Sequence, residues 1–414
     1  MGEATGMKIG LLGCGGDSWM GGTYYLINLV RAMDRLPAEE RPEVTLVLLP
    51  GLERKHFEEI ADRVTFIETT SSEGGTLARA QGLSPGIRRL VIRSVYRFKS
   101  VRNYKRRSEL RVFQQLASRL KEASLDLLFP CLDTLTDDYP IPWLPWAWDF
   151  QHKYYPTFFT SGQLRERDEV FERMGRSGRP VVVSSQNALE DFDRFFPGYR
   201  ENLRVLHFCS VPRDEWFQGE PDQVRREYNL PERFFLLSNQ FWEHKNHQAV
   251  WDAVRILKEQ GKPVTVVCTG QTKNAHQPDY MPRLESLRRE HNLEEHIRIL
   301  GLVPRYKQIQ LMRLCQAVVQ PSLFEGWSTV VEDARALGRP LIVSDLPVHR
   351  EQAHPKAVYF DAGSPDELAK HLEQTMESSP AFLSGEATHL EKHRERVAEY
   401  ARTFIRLAGE AVHP

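Results

Sequence analysis

The sequence predicts an α/β protein of two domains, each a parallel sheet wound with helices on both faces. Three observations carry that prediction. Short runs rich in Val, Ile, Leu and Phe alternate with longer stretches of helical period through both halves of the chain. At 414 residues the chain exceeds what one ordinary core organises. Between Val211 and Asn229 the apolar pattern gives way to charge, and Pro212, Pro221 and Pro231 punctuate the region. Strand–helix alternation requires crossover connections, and these produce parallel sheets covered on both sides.

In the first half, strands are expected at 8–12, 44–49, 64–67, 126–129, 144–148, 180–184 and 204–208. Runs such as Lys8-Ile9-Gly10-Leu11-Leu12 are almost continuously apolar, as strands buried on both faces are. Helices are expected at 22–35, 109–123, 162–174 and 186–195, where apolar residues recur three and four apart. The second half repeats the pattern, with strands at 234–237, 264–269, 297–300, 317–320, 341–344 and 358–360. Its helices are expected at 248–259, 281–291, 305–314, 329–337 and 365–376. The domains therefore read as 1–212 and 213–388, two Rossmann-like doubly wound units, followed by an amphipathic helix over 389–407.

Composition excludes several classes of function. Basic and acidic residues number 55 and 56, so net charge points to no polyanionic partner. No apolar run approaches the roughly 20 residues that span a bilayer. The residues before the first strand carry no apolar stretch, so a secretory signal is not expected. Cys14, Cys131, Cys209, Cys268 and Cys315 lack metal-ligand spacing, and four of them lie in or beside apolar runs. They read as small buried residues in a reducing compartment, hence a cytoplasmic protein. No Asp-x-Asp ends a strand, and Asp137-Asp138 sits in a Pro-flanked loop that reads as a turn. No metal and no cofactor are expected.

One segment departs from charge balance. Between Arg88 and Arg111 ten basic residues meet a single acid, Glu109, with Leu90, Val91, Val95, Phe98 and Val101 interleaved. This basic amphipathic pattern suits an anionic membrane surface, such as the inner face of a membrane, or a phosphorylated acceptor; it equally suits a solvated helix or lid loop. It lacks the aromatic platform of a nucleic-acid binder, so no nucleic acid is expected as partner.

Ligands of open α/β sheets bind beyond the carboxyl ends of the strands, and four loops there hold candidate residues. Gly21 and Gly22, in the loop after the first strand, would admit a phosphate close to backbone amides. The spacing is not a dinucleotide fingerprint, and no acid ends the second strand to hold a ribose. His152, in Asp149-Phe150-Gln151-His152, would stand at a strand's carboxyl end, able to orient a hydroxyl. Lys245, in Glu243-His244-Lys245-Asn246-His247, stands just before a helix and can neutralise a diphosphate. The stretch from Pro321 to Gly338 runs from a strand through Phe324-Glu325-Gly326-Trp327 into a helix capped by Ser328 or Thr329. That places the Glu325 carboxylate beside free backbone N–H groups, a site for an anion and sugar hydroxyls together.

This last stretch resembles the donor-site signature of retaining glycosyltransferases of family 4, which have the GT-B fold. Their pattern is Glu, seven residues, Glu; here Glu325 is followed eight places later by Asp333, a shorter acid. The resemblance is strongest over 297–351 and patchier in the first half. It implies that the two domains face a cleft and that 389–414 packs back on the first, acceptor-side domain. It implies that His152 and Glu325 act at the donor sugar, with Gly21 and Gly22 against the diphosphate and acceptor. It assigns the N–H groups of Trp327, Ser328 and Thr329, beside Gly326, to the sugar and diphosphate. Asp333 would hold the ribose, with neighbouring Glu332 as the alternative, and Val303 in the Gly301-Leu302-Val303 turn would flank the base. The family usually has an Arg where this chain has Gln240, which leaves one fewer cation for the diphosphate.

The function implied is transfer of a sugar from a nucleotide-diphosphate sugar to a glycan, glycolipid or lipid-linked acceptor, with retention and without metal. Two alternatives share the architecture: a nucleotide-sugar epimerase or phosphorylase, and a non-catalytic sugar-binding protein. A phosphorylase needs a pyridoxal phosphate lysine or an extra phosphate site, and neither is evident. A glycosidase needs two carboxylates flanking the bond.

Overall fold

A computed structural model describes residues 6–16, 19–69, 99–273, 277–353, 356–378 and 386–413, with only the backbone of 99–105, 107–109 and 386–389. The chain divides into two compact units, one of 1–209 with 396–414, the other of 210–395. The charged stretch between Val211 and Asn229 holds two short helices within the second unit.

The first unit carries β1 (Lys8–Leu12), α1 (Met20–Asp34), β2 (Glu43–Leu48), β3 (Thr65–Glu68), α2 (Lys99–Glu122), β4 (Leu127–Cys131) and β5 (Trp143–Ala147). There follow α3 (Gln151–Tyr154), α4 (Ser161–Arg176), β6 (Val181–Val183), α5 (Gln186–Phe195) and β7 (Leu203–Val205). The seven strands form one sheet in the order β3-β2-β1-β4-β5-β6-β7, all pairs parallel. β4 runs further than its apolar run suggests, through Pro130, and its register against β5 shifts between Leu128 and Cys131; Pro130 has no N–H to give the ladder. On one face Val112, Leu116 and Leu120 of α2 pack with Leu12, Val47, Leu128 and Trp143.

The second unit carries α6 (Asp214–Gln218), α7 (Pro221–Glu227), β8 (Phe235–Ser238), α8 (His247–Glu259), β9 (Val266–Thr269), α9 (Tyr280–Glu290), β10 (Ile297–Gly301) and α10 (Arg305–Leu314). It continues with β11 (Val318–Gln320), α11 (Thr329–Ala336), β12 (Leu341–Ser344), α12 (Pro347–Gln352), β13 (Val358–Phe360) and α13 (Pro365–Glu377). Its six strands are parallel in the order β10-β9-β8-β11-β12-β13. Alternate residues go to opposite faces, as a period of two requires. Phe235, Leu237, Val266, Cys268 and Val319 enter one core; Leu236, Val267, Val318, Leu341 and Val343 enter the other. Each sheet is thus buried on both sides.

The last helix, α14 (Glu386–Val412), crosses the division between the units. Its final turns belong to the first unit: Phe404 packs on Phe129 at 5.0 Å, and Arg204 reaches Glu410 at 2.9 Å. All five cysteines are free and buried. No helix among the described residues is long and apolar enough to cross a membrane. Most of the basic segment expected between Arg88 and Arg111 lies outside the described residues or side chains.

Candidate functional site

In an open parallel sheet the loops part where the winding reverses, and a ligand crevice opens there. In the second unit that point lies between β8 and β11, adjacent in the sheet but far apart in sequence. The loop after β8 forms a 3-10 turn, Glu243–Lys245, and reverses at Asn246, whose φ is 54°. Asn tolerates that left-handed conformation, and its amide ties the loop down with bonds to the carbonyls of Pro321 and Ala362, 3.0 Å each. The Leu323 N–H donates to the His244 carbonyl at 2.7 Å. The two loops are therefore stitched together before any side chain of the site is considered.

Across this seam Lys245 meets Glu325. The lysine Nζ donates to Glu325 Oε1 at 2.7 Å, and Gln320 Nε2 and Ser322 Oγ donate to the same oxygen at 2.7 Å each. Gln320, the last residue of β11, is itself held by the Asn239 amide at 2.9 Å. Burial works against a charged Glu325, but Lys245, with smaller contributions from His349 and His244, overrides it and holds the carboxyl at about 2. Burial and the Lys245 charge push His244 down to about 3, so it is neutral at neutral pH. Glu325 is 8% exposed. Every hydrogen bond it makes to the protein among the described residues ends on Oε1, which leaves Oε2 for a ligand.

Ser328 is the N-cap of α11, its hydroxyl accepting from the Val331 N–H. The expectation that the Ser328 N–H faces a ligand is corrected: Gln352, at the end of α12, accepts it at 3.0 Å and donates back to the Ser328 carbonyl at 2.7 Å. Gly326, Trp327 and Thr329 are partly exposed around this cap.

Asp333 also departs from expectation. It is fully buried, and Arg305, the first residue of α10, grips both its oxygens, at 2.5 and 2.7 Å; Ser210 adds a third bond at 2.6 Å. The shorter acid keeps its carboxylate against its own helix, within the reach of that guanidinium. The alternative, Glu332, is equally buried and bonded to Arg335 and Gln352. Both acids are thus held by partners within the protein. Val303 is partly exposed in the turn after Gly301, beside Leu302, which is 70% exposed.

Of the candidates of the first unit, Gly22 and His152 are buried and Gly21 is partly exposed. Gly21 and Gly22 lie in the first turn of α1. A Cβ on Gly22 would meet the Trp19 ring at 2.8 Å, and its N–H already donates to the Trp19 carbonyl. His152 is 2% exposed, its Nε2 at 2.9 Å from Asp168 and its ring packed on Phe150, Phe159 and Phe171. Burial, helped by Arg167, lowers it to about 4 despite Asp168. The chain turns into α3 after Phe150 and carries the imidazole into this aromatic cluster; Trp148 follows the end of β5 more directly.

Sequence reasoning missed Gln320, Ser322, Gln352 and Arg305. A buried amide ending an apolar strand was the available signal for Gln320. The others act through loops whose pairing the sequence does not display.

Two doubly wound parallel-sheet units define the GT-B class of fold. Solved structures share it along nearly the whole chain. One is Anabaena Alr3699/HepE in complex with UDP and glucose, with a TM-score of 0.67, 17% identity, and coverage of 97% of this chain and 98% of that one. Another is sucrose-phosphate synthase from Thermosynechococcus elongatus, with a TM-score of 0.65, 15% identity, and coverage of 97% and 96%. In sequence, residues 221–404 match the family described as glycosyl transferases group 1. EpsF of Bacillus subtilis (strain 168), which carries the name of a glycosyltransferase, is 33% identical over 105 residues, a match spanning a quarter of each protein. The chain thus has the GT-B fold, and its residues 221–404 carry the segment matched by the glycosyl transferases group 1 family.

Proposed function

We propose that the protein moves a sugar from a nucleoside-diphosphate sugar to a hydroxyl acceptor, a glycan or glycolipid, in a reducing cytoplasmic setting. The observation that carries this reading is the Lys245–Glu325 pair at the switch point of the second sheet. An ammonium has three donors, and Glu325 takes one, so Lys245 keeps two for a diphosphate. Glu325, held ionised, accepts from sugar hydroxyls through Oε2. As the anomeric C–O bond breaks, negative charge grows on the leaving diphosphate. Lys245 and the first turn of α11 stabilise it from fixed positions, the arrangement that lowers such barriers most. This supports departure without a metal. The likeness to family 4 supports retention of configuration. Support for a UDP-sugar comes from Alr3699/HepE, whose structures hold UDP and UDP-glucose.

The test is hydrolysis and transfer across a panel of UDP-, GDP- and dTDP-sugars with and without a chelator. One donor should turn over, and Glu325→Gln should lower that turnover by tenfold or more. No turnover and no nucleotide binding with any donor would sink the reading.

A further inference from the structure

The first unit holds a cavity of about 440 Å³ that the donor reading leaves unused. That is within the roughly 300–1,000 Å³ of small-molecule sites. Its walls come from the carboxyl ends of four strands: Gly13 and Cys14 after β1, Leu49 after β2, Leu132 and Leu135 after β4, and Trp148 after β5. β1 and β4 are neighbours in the sheet, and the winding reverses between them. The cavity thus occupies the first unit's own switch point, where open sheets bind ligands.

Its chemistry is unlike a sugar site. Leu110 and Phe113 of α2 and Val170 of α4 line it, with Leu12 and Phe159. Most of the polar side chains at its edge are turned on one another. Arg173 grips Asp133 at 2.6 and 3.1 Å, Arg106 donates to Thr134 at 3.1 Å, and Gln163 caps Thr160. Arg167 is paired with Asp149, its guanidinium lying between the rings of Trp148 and Phe159 at 5.1 and 5.2 Å. A hexose would bring several hydroxyls to a wall whose polar groups are for the most part paired already, and burying them unmatched is costly. A hydrocarbon chain packs against the Leu, Phe, Val and Trp part of these walls and leaves water.

Resting on the glycosyltransferase reading, we propose that this cavity takes the hydrocarbon chain of an amphiphilic acceptor, the accepting hydroxyl being on its polar head. Buried methylenes each raise affinity about fourfold, so chain length is the readout. The full chain is titrated calorimetrically, below micelle-forming concentrations, with decyl glucoside, decyl phosphate, methyl glucoside and inorganic phosphate. Both decyl compounds should bind one to one, and the two headgroup controls should bind at least a hundredfold more weakly. Leu132→Trp and Leu49→Trp fill the cavity from two walls, and each should weaken decyl binding tenfold or more. Equal binding of methyl and decyl glucoside, no decyl binding, or decyl binding indifferent to both folded variants would overturn the proposal. UDP titrated into the same preparations separates the two readings: UDP binding without decyl binding sinks only this inference, and the reverse sinks only the donor site.

Discussion

Replacing Glu325 by Gln keeps the shape of the side chain and removes its charge, which isolates the pair with Lys245. A carboxyl held at about 2 rather than 4.5 contributes on the order of 3 kcal/mol to folding at neutral pH. Leaving a buried cation unpaired costs about 3–5 kcal/mol, but the Lys245 side chain is 16% exposed, so water recovers part of that. The expected loss is about 2–3 kcal/mol, or roughly 5–12 °C in the unfolding of a unit this size. The sign with pH follows from the direction of the shift. A depressed carboxyl pKa stabilises above its unfolded value and loses that contribution as pH falls through the folded value. The gap between wild type and Glu325→Gln should therefore be full at pH 7, narrow below about pH 4.5, and close near pH 2. UDP affinity should hold or rise, since Lys245 no longer shares its charge, while turnover falls by tenfold or more. Thermal melts followed by circular dichroism from pH 7 to 2, with UDP titrations alongside, read all of this. A pH-independent gap, or one under about 1 kcal/mol at pH 7, would refute the assignment of Lys245 as the dominant partner.

Lys245→Ala should weaken UDP binding tenfold or more by calorimetry, and an unchanged dissociation constant removes Lys245 from the diphosphate site. Asp333→Asn leaves Arg305 buried opposite a neutral partner and should cost about 3–5 kcal/mol in denaturant unfolding. If Asp333 serves to seat α11, the UDP dissociation constant of the folded variant rises less than threefold; a tenfold rise would return the carboxylate to the ribose. Gln352→Leu frees both backbone groups of Ser328 and should lower stability by about 1–3 kcal/mol, with turnover reduced more than UDP affinity; unchanged turnover would show that the cap needs no clamp. His152, His244 and His247 are held at about 4, 3 and 3, chiefly by burial, so the unfolded chain takes up protons that the folded chain refuses. Stability should fall as pH drops from about 6.5 towards 4, and a flat denaturant midpoint between pH 7 and 5 would contradict this.

The strands were legible because both sheets are buried on both faces. A run such as Phe234-Phe235-Leu236-Leu237 divides its side chains between two cores, so it must be apolar throughout. Order and crossovers then follow from the alternation with helices. The helix start at Ser328 was legible because an N-cap is a local device. What sequence did not display is which loop meets which. Lys245 and Glu325 are 80 residues apart, and their contact depends on β8 and β11 being neighbours. Spacing placed each at the end of its strand, and the sheet order joined them. Gln352 is a further step removed, since it acts on the cap of one helix from the end of the next.

His152 and Asp333 show what the letters of a motif leave out. His152 follows β5 by five positions, as the second residue of the short helix α3, which turns its ring inward against three phenylalanines. The position that opens into a cavity at that strand end is Trp148, one residue past β5. Asp333 keeps the spacing of the second acid but loses a methylene, and Arg305 takes what remains. The same guanidinium donates to Gln308, Gln308 to Ser238, and Ser238 exchanges a bond of 2.7 Å with Thr269. Ser238 and Thr269 end β8 and β9. The buried acid thus anchors a polar chain running along the carboxyl edge of the sheet towards the loop that carries Lys245. Loss of Asp333 should loosen that edge as a unit, which is why its effect belongs in unfolding before it appears in nucleotide binding.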